Sequence, residues 1–507
     1  MPESTGISMP AADPRAEVWE TLRGALARPQ LEGATRCAVR LYAELRDREH
    51  LEGNTVLIAY GGGKDSSYML AFVRLVQLLI HRIYGRTFRM RVATNRHAGM
   101  PRAVMENIDR VYRALGLYGD PDCELLVIDG DRVSVFDVDL PQSPDVIRRN
   151  RTDILMTGHR TAGDARPTFC NACNLSMVNS FGIAAGYGAS VDLIVTGDSR
   201  REQRDYYLWI TRLARRFGLQ PPPELRTGFP GFLRSLNQIA QAYFTDIHGR
   251  EATQTVAEHA VTDAVPAGLQ FFSIYDDTGY ASGDHWELLT GTLGFVFDDL
   301  AFSFTESDCG NPGLMAHLRA LKTEHCFGRS YAEGLDEYVE FAVSLMHQKE
   351  FPPRLVELAR GRYEGAAAAG RMRAAMEAYA EDAYGLTEEH LVTMVHAPFS
   401  GKAANLETYL RAEQPDLLGS AEHIRSLLAE ELSEPADEEL IARLENISGL
   451  TIAQLRVLYA SSLRAPSAAP DGGELIDAIL DGDPHKKIIY TRHEAAGDLV
   501  PELLSGR

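Results

Sequence analysis

The run Ala59–Tyr68, AYGGGKDSSY, gathers the residue types that handle a phosphorylated ligand. Gly61, Gly62 and Gly63 allow a backbone to approach an anion closely and to take positive φ. A helix starting behind them would aim N–H groups and its positive dipole end at that anion. Ser66 and Ser67 add hydroxyls, and Lys64 adds a point charge. Asp65 can cap the helix or hold a metal beside the phosphates. The run is not a Walker A loop. That motif requires Gly-Lys-Ser/Thr after an earlier glycine, whereas Asp65 follows Lys64 and Ile58 occupies the earlier position. A ligand-free turn would need neither the lysine nor the acid and paired serines in this order.

A second group is Cys170-Asn171-Ala172-Cys173. Two thiolates at this spacing chelate one metal ion but supply only half of a tetrahedral site. Cys309, in the turn-forming run DCGNP, is the best third ligand, with His325 and Cys326 as further candidates. Three cysteines suit zinc or an iron–sulfur cluster such as [4Fe-4S], and spacing alone does not choose. A packed dithiol with no metal is the competing reading. Cys37 and Cys123 read as core thiols. Downstream, Thr196-Gly197-Asp198 follows an apolar run, with Arg200, Arg201 and Glu202 next. Asp198 and Glu202 can bind magnesium or orient a substrate hydroxyl, and the arginines can neutralise phosphate.

These groups need an α/β scaffold to meet. Thr55–Tyr60 (TVLIAY) predicts a buried strand, followed by the glycine turn and an apolar helix over Tyr68–Tyr84. Phe88–Thr94, Glu124–Ile128 and Val191–Val195 predict further strands. Val104, Ile108, Val111 and Leu115 mark one helical face, and Leu175–Tyr187 predicts another helix. Strands alternating with helices imply a parallel sheet covered on both faces. α/β sheets bind ligands at the carboxyl ends of their strands, which is where both the glycine turn and Gly197-Asp198 fall.

The whole loop resembles the SGGxDS signature of the PP-loop ATP pyrophosphatases, with Tyr60 where that family usually has serine. The resemblance implies a HUP-like parallel sheet and binding of ATP with Mg2+. It assigns the pyrophosphate to Gly61, Gly62, Gly63, Asp65, Ser66 and Ser67, and the adenine to backbone near Thr94 and Asn95. Lys64, Asp65 and Asp198 become the catalytic set, and Cys170, Cys173 and Cys309 the metal set. The order of loop, Cys-x-x-Cys, strand, Gly-acid turn and late Cys-Phe-Gly (Cys326–Gly328) is similar to that of N-acetyl sugar amidotransferases. Ala172 replaces their proline and Asp198 their glutamate. This likeness covers about residues 50–350. It implies adenylation of a substrate oxygen, release of pyrophosphate and displacement of AMP by ammonia, which a glutaminase subunit would supply. The rivals are a sulfur-transferring PP-loop enzyme acting on tRNA or a small molecule, and a nucleotide-binding protein without catalysis.

The 507 residues carry a net charge of −20, which disfavours a nucleic-acid partner and favours a small-molecule acceptor. Residues 401–507 alone hold −9 of that charge. The Arg-rich runs Arg148–Arg151 and Arg212–Arg216 read as solvated helix faces. With no secretory pattern or apolar run of about 18 residues, the expectation is a cytoplasmic protein off the membrane, with homo-oligomerisation allowed. The expected division is a helical leader over 1–50 and the loop-bearing domain over 51–225. A mixed segment over 226–360 completes the site, and an acidic helical extension spans 361–507.

Overall fold

The computed structural model describes residues 14–170, 173–197, 200–266, 268–278, 285–296, 311–348, 350–430, 438–464, 473–482, 486–495 and 498–506. A six-stranded, mostly parallel sheet organises the first half of the chain. It comprises β1 (Thr55–Ala59), β2 (Arg89–Arg96), β3 (Cys123–Asp129), β4 (Arg132–Val135), β5 (Leu193–Val195) and β6 (Gln270–Phe271), in the order β4-β3-β2-β1-β5-β6. β1 is central. Ile58 aligns with Val92 on one side and Val195 on the other, and all three are buried. Buried on both faces, these strands read as continuous apolar runs.

Helices cover the sheet in chain order: α1 (Pro14–Ala25), α2 (Arg28–Glu44), α3 (Lys64–Tyr84), α4 (Arg102–Ala114), α5 (Pro144–Arg160), α6 (Ala165–Cys170), α7 (Cys173–Gly186) and α8 (Arg200–Arg216). The predicted stripe Val104, Ile108, Val111 and Leu115 is buried throughout. Next come α9 (Gly228–His248), α10 (Thr253–Ala257), α11 (Tyr275–Thr278), α12 (Pro312–Phe327), α13 (Tyr331–Gln348), α14 (Pro353–Tyr363), α15 (Ala366–Tyr384) and α16 (Glu388–His396). Further helices lie between Leu406 and Leu480. No described helix is long and apolar enough to cross a membrane.

Three features differ from the sequence expectation. β4 pairs antiparallel with β3, because Gly130 takes φ of 66° and lets the chain reverse within two residues. β2 runs two residues past Thr94: Arg96 stays in the strand because Asp129 on β3 accepts from it at 2.8 Å. The extension is not all helix. It ends in a hairpin of β7 (Lys487–Ala495) and β8 (Asp498–Gly506), whose Ile488, Ile489, Tyr490 and Thr491 favour extended backbone. The helical leader, from Pro14 on, is tied to the sheet domain. Arg15 pairs with Asp122 at 2.8 Å, and Arg40 donates to Asp277 at 3.0 Å.

The extension also packs onto the sheet domain through α5. Arg151 donates to the Gly449 carbonyl at 2.7 Å, Ser400 Oγ to the His159 carbonyl at 3.0 Å, and the Arg464 amide to the Arg160 carbonyl at 2.8 Å. Arg148 meets Glu258 at 3.1 Å, and Arg149 donates to the Glu258 carbonyl at 2.6 Å. Arg148, Arg149 and Arg151 therefore each make a tertiary contact, although Arg148 itself stays exposed. Arg212, Arg215 and Arg216 do lie exposed on α8.

Candidate functional site

The strand order reverses direction at β1: β2 and β3 follow on one side, while β5 lies on the other. Loops leaving β1 and β5 therefore diverge around a crevice at the carboxyl edge of the sheet. The Gly61–Ser67 loop leaves β1, and Thr196-Gly197 leaves β5. A Cβ built on Gly197 would lie 3.7 Å from Ser66 Cα, so the two loops touch.

The loop conformation depends on glycine. Gly62 takes φ of 78°, and a Cβ there would stand 2.7 Å from Val104 and 2.8 Å from Ile108. α4 thus presses the loop into shape from beneath. Gly63 is the N-cap of α3 with extended backbone, and the first bond of the helix runs from the Ser67 amide to the Gly63 carbonyl at 2.9 Å. The first turn of a helix carries N–H groups that no intrahelical carbonyl takes. At the head of a helix as long as α3, such a turn suits an anion.

The side chains divide into two sets. Lys64 is 2% exposed, and its Nζ sits 2.6 and 2.7 Å from the two Asp65 carboxylate oxygens, with the Phe351 ring 5.9 Å away. Asp65 and Ser66 are half-buried at the crevice. Ser66 Oγ donates to the Gly63 carbonyl at 3.0 Å. Ser67 is fully buried; its hydroxyl donates to the same carbonyl at 2.8 Å and shares a 2.9 Å bond with Tyr60 Oη. Tyr60 is itself buried, and burial pushes its phenol well above the ordinary range. Ser67 and Tyr60 brace the turn from inside. Thr94 lies within β2, fully buried, rather than at the strand end.

Residues distant in sequence pack beside the loop. Ile274, Tyr275 and Thr278 line a cavity of about 10 Å³ with Asp65, Tyr68 and Met69, between the start of α3 and α11. Tyr275 Oη donates to the Gly197 carbonyl, holding the β5 loop, and Gln203 donates to Thr196 Oγ1 at 2.9 Å. His285 stacks on Tyr68 with ring centroids 4.0 Å apart. No local pattern marks Tyr275, His285 or Phe351, because each reaches the loop only through tertiary packing.

Asp198 and Cys309 lie outside the described residues, as do the side chains of Cys170, Cys173 and Glu202. The backbone does place Cys170 at the end of α6 and Cys173 at the start of α7. His325 turns to Glu413 at 2.9 Å, and Cys326 is half-buried at the end of α12. Burial pushes the thiols of Cys37 and Cys123 up to about 12, which suits packing rather than reactivity. No family model matches the chain, and no curated protein matches it significantly.

Proposed function

We propose that the chain is an ATP-dependent, AMP-forming enzyme of the PP-loop ATP pyrophosphatase type. The observation that carries this reading is the Gly61–Ser67 loop, lodged at the strand-order reversal against the β5 loop. Its Gly62 has no room for a Cβ, and its buried lysine and half-buried acid are paired. The donor set fits a magnesium-bound triphosphate: backbone N–H groups and an ammonium for the anion, and the Asp65 carboxylate for the ion. Magnesium, when bound, neutralises charge on the phosphates.

In this reading a substrate oxygen attacks the α-phosphorus of ATP. The bond from that phosphorus to the bridging oxygen breaks, and pyrophosphate leaves. Lys64 and the loop amides offset the charge that develops on the leaving group. Ammonia then displaces AMP from the adenylated acceptor, a sugar or other small metabolite. A glutaminase partner would deliver the ammonia, since the sequence shows no glutaminase signature.

The test is pyrophosphate release from ATP by the wild type and by Asp65→Ala and Ser66→Ala. Asp65→Ala is expected to lose more than about 10-fold in rate with an unchanged circular dichroism spectrum, because the ion loses a carboxylate ligand and even groups behind a metal ligand are worth about 10- to 100-fold. Undiminished release in both variants overturns the loop assignment. ATP binding without any release in the wild type leaves a nucleotide-binding role only.

A further inference from the structure

Away from the loop, the described residues hold one cluster with metal-ligand chemistry, formed by Asp153, His248 and His259. Asp153 lies on the inward side of α5, His248 ends α9, and His259 follows α10. His248 Nε2 is 2.8 Å from one Asp153 oxygen, and His259 Nε2 is 2.9 Å from the other. The potential ligand atoms lie within 4.8 Å of one another. Side-chain exposures are 4% for Asp153, 2% for His248 and 7% for His259, so bulk water does not separate them.

The rings are held in place. Phe244 stacks on His259 with centroids 3.6 Å apart. His259 Nδ1 donates to the Thr255 carbonyl at 2.8 Å. A carbonyl only accepts, so the Nδ1 atom carries the proton, and in the neutral ring Nε2 keeps its lone pair. Metal-binding histidines characteristically donate their other N–H to a carbonyl in this way. Arg148 and Arg149 clamp the neighbouring Glu258 onto α5, which fixes the backbone before His259.

We propose that Asp153, His248 and His259 bind one divalent first-row transition-metal ion, zinc being the type case. Two imidazole nitrogens and one carboxylate suit such ions, whereas magnesium and calcium prefer oxygen alone. Buried between α5, the end of α9 and the turn after α10, the ion braces three segments. The site stands independently of the ATP chemistry.

The test uses the full chain carrying Cys170→Ser, Cys173→Ser, Cys309→Ser and Cys326→Ser, which removes the thiolates named as candidate metal ligands while leaving Asp153, His248 and His259 intact. After stripping with EDTA, it is titrated with Co2+ and then Zn2+. The expected result is one bound Co2+ per chain with visible d–d bands and no thiolate charge-transfer band. Zn2+ displaces it and raises Tm, and Mg2+ does neither. His259→Gln in the same background weakens binding by more than about 100-fold, since outer partners alone are worth 10- to 100-fold. Absence of saturable Co2+ binding by the protein with the three ligands intact overturns the proposal, whatever the variant's folding. So does binding that His259→Gln leaves unchanged, or a Tm gain that Mg2+ reproduces.

Discussion

The Gly61–Ser67 loop takes its residues from one uninterrupted stretch, whereas Asp153 meets His248 and His259 across 95 and 106 positions. The loop presents mainly backbone, shaped by glycine and by a helix start. The cluster presents only side chains, and its backbone segments are otherwise ordinary. The loop opens on a crevice where strands diverge, while the cluster is sealed between helices. A backbone cradle needs local geometry and little else. A side-chain cluster exists only after α5, α9 and α10 have docked.

The largest expected effect falls on the cluster. Asp153→Asn leaves two buried imidazoles without their carboxylate, and breaking a buried pair costs about 3–5 kcal/mol. Urea unfolding should show this loss with an unchanged m-value. A loss no larger than that of a surface substitution would break the contrast, since the cluster would then not be holding its helices together.

Gly62→Ala comes next. The new Cβ meets Val104 and Ile108 below 3 Å, and overpacking of this kind costs about 1–3 kcal/mol. Left-handed backbone on an alanine adds about 1–2 kcal/mol. Tm should fall and ATP binding should weaken together, because the same strain opens the cradle. A variant with a lowered Tm and undiminished ATP binding would separate loop shape from ligand.

Tyr60→Phe is milder. It removes the bond to Ser67 Oγ, worth about 0.5–1.5 kcal/mol. Pyrophosphate release should stay close to wild type, because the tyrosine hydroxyl faces inward. A large kinetic loss would place that hydroxyl in the chemistry instead.

The smallest effect at neutral pH concerns His159, fully buried with neither ring nitrogen hydrogen-bonded. Burial first, and nearby His390 second, lower it from 6.5 to about 3. The unfolded chain therefore takes up a proton that the native chain refuses. The contribution to stability is complete above about pH 6.5 and declines as pH falls toward 3. His159→Leu should flatten that slope in pH-dependent unfolding. An unchanged slope would show that other groups set the acid limb.

A second pair of regions, the sheet and the extension after 360, teaches a related lesson. The central strands and α4 were legible because full burial writes continuous apolar runs and a helical stripe. β4 and β6 were not, being short edge strands with little apolar length. The final hairpin sits in a stretch whose composition otherwise reads as helical. The acidity of 401–507 marked that region as a distinct extension, but charge composition says nothing of docking. Three bonds onto α5 through Ser400, Gly449 and Arg464 tie that region to the sheet domain.

Sequence alone determined the strand–loop–helix unit around Gly61–Ser67, because covalent spacing and glycine conformation fix a backbone cradle without distant help. It also determined the mostly parallel α/β character, since burial on both faces leaves a local pattern. Only the tertiary structure decided that Tyr275 and Phe351 reach the loop and that Ser67 faces inward. It alone also decided that Asp153 gathers His248 and His259. Those outcomes depend on which helix faces meet, and helix docking is set by packing over the whole core rather than by any periodicity along the chain.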